Sequence, residues 1–80
     1  MSARSAEIEE WLGTRVATLL QIPSTNVDSQ RDLTDYGLDS EALLELLSGL
    51  EDFLDRRLPD TFFLDFRNIS AAASEAAKRL

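Results

Sequence analysis

The sequence predicts an all-α fold, a four-helix bundle of three main helices and a short third one. Three observations lead there. Apolar residues recur at helical spacing in two long segments, the C-terminal stretch is rich in alanine, and no segment alternates apolar with polar residues as a half-buried strand does. At 80 residues the chain is expected to form a single domain over 1–80. A chain of this size buries only roughly 60% of the surface that its unfolded form exposes, which leaves little room for a deep catalytic cavity.

The first helix is expected over Ser5 to Leu20, where Ile8, Trp11, Leu12, Val16 and Leu19 share a face. Glu7, Glu9 and Glu10 load its first turns, where the helix macrodipole favours negative charge. Trp11 is expected in the core. Arg15 falls within the apolar stripe, where its stem can pack while its head reaches water. Gln21 to Asp39 carries Pro23, Asn26, Gly37 and several Ser, Thr and Asp residues. This reads as a long structured loop pinned to the core by Ile22, Val27, Leu33, Tyr36 and Leu38. Loops of that length inside compact domains are uncommon and are usually functional.

A second helix is expected over Ser40 to Arg56. At about 100° per residue, Leu43, Leu46, Leu47, Leu50 and Leu54 fall on one face, with Glu41, Glu45, Ser48 and Asp52 opposite. Leu44 lies on the flank of the acidic stripe and is expected to be exposed or half exposed. Pro59 ends the helix soon after Leu58. Thr61 to Phe66 suits one or two turns of α or 3₁₀ structure. Ser70 to Leu80 forms a last helix, with Ile69, Ala72 or Ala73, Ala76 or Ala77, and Leu80 available to pack.

Composition narrows the function. The chain holds 15 acidic and 8 basic side chains, a formal charge of -7, with no cysteine and no histidine. Disulfides, cysteine nucleophiles and histidine-based triads are thereby excluded, and zinc sites lose their usual ligands. The charge opposes binding to nucleic-acid backbones and to anionic membranes, and favours partners with basic patches. It is also localised: Asp28 to Asp60 holds ten acidic and three basic residues, and the rest of the chain is balanced. No stretch approaches the roughly 20 apolar residues of a membrane span, and residues 1–4 lack a signal-peptide pattern, so a cytoplasmic location is expected.

The distinctive string is Asp35-Tyr36-Gly37-Leu38-Asp39-Ser40, directly before the amphipathic helix. Gly37 permits a positive φ and a sharp turn. Asp39-Ser40 opens the helix where its unpaired N–H groups point outward. The Ser40 hydroxyl is thus expected on a protruding corner beside the positive end of a helix dipole, a position that can carry a phosphodiester. Ser and Asp are also the preferred helix N-caps, so the same string is compatible with a cap and nothing more. Asp32, Asp35 and Asp39 do not make an EF-hand, because Thr34, Tyr36 and Leu43 stand at loop positions three, five and twelve. Glu51, Asp52 and Asp55 read as a solvated face, and no metal is expected.

From Ile8 to Leu80 the chain resembles the acyl carrier proteins of fatty acid and polyketide synthesis, in the discrete form. Gly37, Leu38, Asp39 and Ser40 match the family's Gly-x-Asp-Ser signature, and Leu58-Pro59 matches its break before the short third helix. The resemblance implies a four-helix carrier domain that is not itself an enzyme. It implies phosphopantetheine, taken from coenzyme A by a phosphopantetheinyl transferase, on Ser40, with Gly37, Leu38 and Asp39 forming the attachment turn. It also implies that acyl intermediates travel as thioesters, and that the second helix is read by partners through Glu41, Leu44, Glu45, Ser48, Glu51, Asp52 and Asp55. Phe62 and Phe63 are expected to add to that surface or to pack in the core. Acyltransferases, ketosynthases or adenylating enzymes with basic patches are the implied partners of a monomeric carrier.

Two positions depart from the family pattern. The residue after the modified serine is usually apolar and is Glu41 here, which bears on partner choice. The third-helix segment, usually polar, is Phe62-Phe63-Leu64-Asp65-Phe66. An aminoacyl or peptidyl carrier of a nonribosomal pathway uses the same serine and fold, and an unmodified helical interaction module is the alternative outside the class.

Overall fold

In a computed structural model, described over residues 3–80, the chain forms four α-helices and two 3₁₀ turns, with no strand among the described residues. The helices are α1 (Ala3–Leu20), α2 (Ser40–Leu54), α3 (Phe62–Asp65) and α4 (Ile69–Lys78). Three long helices and one short one are what the periodicity predicts. Several helix ends differ, each for a local reason.

α1 begins two residues before the expected start. Glu7, Glu9 and Glu10 therefore stand beyond the first turn, where the dipole is weaker, and Arg4 pairs with Glu7 at 3.8 Å. Gln21 closes the helix in the left-handed region (φ 56°), and the Ile22 N–H reaches back to the Ala17 carbonyl at 3.0 Å. α2 ends at Leu54 rather than Arg56. Asp55 turns left-handed (φ 54°), the Arg56 N–H donates to the Glu51 carbonyl (3.2 Å), and the Leu58 N–H donates to Glu51 Oε2 (2.7 Å). Glu51 thus helps to stop its own helix at Leu54, five residues before Pro59. α4 starts at Ile69, capped by Asn68, whose Oδ1 accepts from the Ala71 N–H at 2.7 Å. Leu80 lies past the end of α4 and is exposed, so it does not join the core.

The core is built from Ile8, Leu12 and Val16 of α1, Leu46 and Leu50 of α2, Phe62 of α3 and Ile69 of α4, all with essentially no exposure. Each such side chain contributes roughly 1.5–3 kcal/mol through burial. Ala72, Ala73 and Ala76 are buried too, and their small side chains let α4 lie close along α1. Trp11 corrects the sequence expectation. It is half-buried at the rim, stacked on Phe53 (centroids 5.2 Å apart, 18° between planes), with the Arg15 guanidinium 5.5 Å from its ring centroid. Arg15 is exposed, as its place in the stripe predicts, with its head lying over the indole.

The connection from α1 to α2 is ordered by polar ties as well as by its apolar pins. Leu33 and Leu38 are buried, whereas Ile22, Val27 and Tyr36 are half-buried. The Tyr36 hydroxyl accepts from the Asp28 N–H (2.7 Å) and donates to the Asp28 carbonyl (3.0 Å), closing the arc between these two residues. Two backbone bonds tie this connection to the C-terminal part of the chain: Leu33 N–H to the Arg67 carbonyl (2.8 Å), between α3 and α4, and Ser70 N–H, in the first turn of α4, to the Ser29 carbonyl (3.0 Å).

Candidate functional site

Ser40 stands where the long connection meets α2. The 3₁₀ turn Leu33–Tyr36 is capped by Asp32 and closed by Gly37 at φ 82°, whose N–H donates to the Thr34 carbonyl at 3.0 Å. A residue with a Cβ is disfavoured in that conformation, which accounts for glycine there. Leu38 is buried and seats the turn on the core, so its side chain is an anchor rather than a surface contact. Asp39 is the N-cap of α2, its Oδ1 accepting from the Ala42 N–H at 2.8 Å. Ser40 is the first helical residue and is exposed. Its hydroxyl is therefore not the cap. It projects from the positive end of a 15-residue helix.

An apolar groove opens beside that hydroxyl, lined by Ser40, Leu43 and Leu44 of α2, Asp60, and Phe63 and Leu64 of α3. Leu44 and Leu64 are 53% and 56% exposed and form its two lips, with buried Phe63 lining it. Of the two places expected for Phe62, the partner-binding surface is corrected to the core: it has no exposure and packs against Phe63 and Phe66 at centroid distances of 5.4 and 5.2 Å. A four-residue helix with two adjacent phenylalanines turned inward must turn the next residue out. Leu64 is therefore the surface residue of α3 that sequence reasoning had not singled out, and its signal was its place directly after the Phe-Phe pair.

Glu41, Glu45, Ser48, Asp52 and Asp55 are all exposed along α2 and its end. Glu51 differs: it is half-buried, and Oε2 is engaged by the Leu58 N–H. Upstream, Asp32 gathers three bonds. Oδ1 accepts from the Thr34 N–H (2.9 Å) and the Thr34 hydroxyl (2.7 Å), while Oδ2 accepts from Arg67 Nε (2.8 Å). The Thr34 hydroxyl and amide, followed by the Arg67 guanidinium, hold the Asp32 carboxyl below its ordinary value of 3.8. Arg67 lies 35 residues from Asp32, so no local pattern signals this pair.

No helix among the described residues is long and apolar enough to cross a membrane. The bundle, the left-handed glycine and the exposed serine at the start of α2 define the class of small helical carrier domains. The profile of the family described as "Phosphopantetheine attachment site" matches residues 10–75. The chain belongs to that family: it is a carrier protein that holds a phosphopantetheine group covalently and serves partner enzymes instead of catalysing a reaction itself. No curated protein sequence matches the chain. Among solved structures, it is similar to a free-standing peptidyl carrier protein from an uncharacterized Acinetobacter baumannii secondary metabolic pathway, with 27% identity, a TM-score of 0.90 and 98% of each chain covered. It also shares the fold of the HMG-ACPI domain from the CurA module of Lyngbya majuscula, with 21% identity, a TM-score of 0.85, and 95% of this chain and 77% of that one covered.

Proposed function

We propose that Ser40 is the attachment residue, and that the protein is a discrete, monomeric, cytoplasmic carrier of acyl thioesters in polyketide or specialised fatty acid synthesis. The observation that carries this reading is the exposed Ser40 hydroxyl at the start of α2, beside the apolar groove of Leu43, Leu44, Phe63 and Leu64. The residues fit the group. Ser40 offers an accessible oxygen, the N-terminus of α2 offsets a phosphodiester charge, and the Asp39 carboxylate is turned onto the Ala42 N–H. Once attached, phosphopantetheine supplies a thiol for thioester chemistry, a group missing from a chain without cysteine.

The chain's own residues present and steer. Gly37 and Asp39 set the corner, and Leu38 ties it to the core. Glu41, Glu45, Asp52 and Asp55 attract basic patches on a phosphopantetheinyl transferase and on loading and elongating enzymes, giving fast, salt-sensitive and modest-affinity encounters. Leu44, with Leu64 across the groove, adds an apolar contact next to the reacting end. Ser48 lies between the acidic residues on the same exposed face.

A second reading, a carrier of aminoacyl or peptidyl thioesters, is favoured by the 27% identity to a peptidyl carrier over 98% of both chains. Intact mass after incubation with coenzyme A and a promiscuous transferase tests the attachment. Wild type gains one phosphopantetheinyl group and Ser40→Ala gains none; equal addition to both overturns Ser40. Loading of the holo form by acyltransferases, and not by adenylating enzymes with amino acids, then separates the two cargoes.

A further inference from the structure

The corner that bears Ser40 ends a connection of nineteen residues without an α-helix, from Gln21 to Asp39, so its position depends on what holds the part of that stretch from Asp28 onward. Two clasps do so. At one end Tyr36 closes the arc onto both backbone groups of Asp28. At the other, Asp32 joins the 3₁₀ turn, through Thr34, to Arg67 in the link between α3 and α4. The second clasp is doubled by the backbone bond from Leu33 N–H to the Arg67 carbonyl. The Asp32 clasp stands directly before the turn whose last residue is Gly37, and Gly37 is three residues from Ser40. The Arg67 end leaves α3, whose Phe63 and Leu64 line the groove beside Ser40. One carboxylate therefore fixes the approach to Ser40 relative to the opposite wall of its groove.

We infer that Asp32 and Arg67 are positioning residues for modification at Ser40: their clasp holds the Gly37–Ser40 corner in the geometry that the transferase reads. This rests on Ser40 being the attachment residue. An exposed ion pair contributes little to global stability, because solvent screens it. Its effect is local, since the stretch it anchors is held by one short 3₁₀ turn and a few backbone bonds rather than by an α-helix. Loss of the clasp spreads the corner over more conformations and lowers the share that a transferase can engage. Affinity for coenzyme A does not depend on the clasp, because that site belongs to the transferase.

The test is steady-state loading of the full chain by a promiscuous phosphopantetheinyl transferase with coenzyme A, alongside urea unfolding of each variant. Asp32→Asn and Arg67→Gln should raise the KM for the carrier by roughly threefold to tenfold, the range expected for one or two lost hydrogen bonds. The KM for coenzyme A and the final extent of modification should not change. Arg67→Lys, which keeps a cation for Asp32, should recover part of the loss, and Thr34→Val, which removes only the hydroxyl bond, should lie between wild type and Asp32→Asn. Wild-type KM in both Asp32→Asn and Arg67→Gln overturns the inference. So does a loss that follows the fraction of unfolded protein in each variant, or one in which Arg67→Lys is as impaired as Arg67→Gln. A wild type that gains no mass refutes instead the assignment of Ser40, so the two failures are distinct.

Discussion

Trp11 lies over Gly49 so closely that a Cβ added at residue 49 would stand 3.2 Å from the indole Cη2 atom. The bare backbone of α2 at this point is what lets the indole of α1 settle against it and stack on Phe53 one turn further along.

A small and a large substitution at residue 49 should therefore act in opposite directions. Gly49→Ala gains helix propensity of about 0.5–1 kcal/mol, and half-buried Trp11 can yield the few tenths of an ångström required. Gly49→Leu forces the indole away and should cost about 1–3 kcal/mol. Urea unfolding followed by the fluorescence of Trp11, the chain's one tryptophan, measures both. Equal effects of the two variants would show that the contact is slack.

Gly37 tests the backbone instead. Nothing lies within 4 Å of a Cβ built there, so Gly37→Ala meets no clash, and its cost is that of φ 82° alone. That cost is roughly 1–2 kcal/mol, the left-handed penalty for one residue. Gly37→Asn should lose less. Thermal unfolding ranks the three proteins.

In α3, neighbours should separate stability from docking. Phe62→Ala opens a cavity in the core and should cost about 3–5 kcal/mol. Leu64→Ala removes an exposed side chain and should change stability by no more than about 0.5 kcal/mol, while slowing turnover of the loaded carrier by partner enzymes. A Leu64→Ala variant as unstable as Phe62→Ala would place both residues in the core.

Acid should expose the Asp32 cluster. The folded carboxyl titrates below 3.8, the value of a free carboxyl, so between the two values the unfolded chain binds the extra proton. Its stabilisation is full above pH 3.8 and is lost as pH falls through the lower folded value. The stability difference between wild type and Asp32→Asn should accordingly be constant at neutral pH and shrink only below that point. A difference that instead grew as the pH dropped would contradict this linkage.

How far the sequence announces this fold depends on the range of the interaction involved. The leucine stripe of α2 follows from periodicity, which reports neighbours three or four residues apart, and the short α3 from the brief span left after Pro59. Ser40, Gly37 and the acidic face of α2 were legible for the same reason, since each depends on local spacing. Trp11 was assigned to the core because its spacing fits the stripe, but spacing does not reveal that the facing position on α2 is a glycine at the bundle's edge. Glu51 looked like one more surface acid, and only the fold brings the Leu58 amide to its carboxylate. The Asp32–Arg67 pair joins two loops with no shared period, so nothing in the local sequence announces it.

The Asp39–Ser40 pair has one more consequence. Asp39 holds the first turn of α2, leaving the serine hydroxyl with no part in keeping the helix wound. On the proposal that Ser40 carries the prosthetic group, the helix keeps its terminus whatever is esterified to that oxygen and however often it is removed and replaced. The domain could then be loaded and stripped repeatedly as one unchanged scaffold, because tenancy and support would fall to adjacent residues.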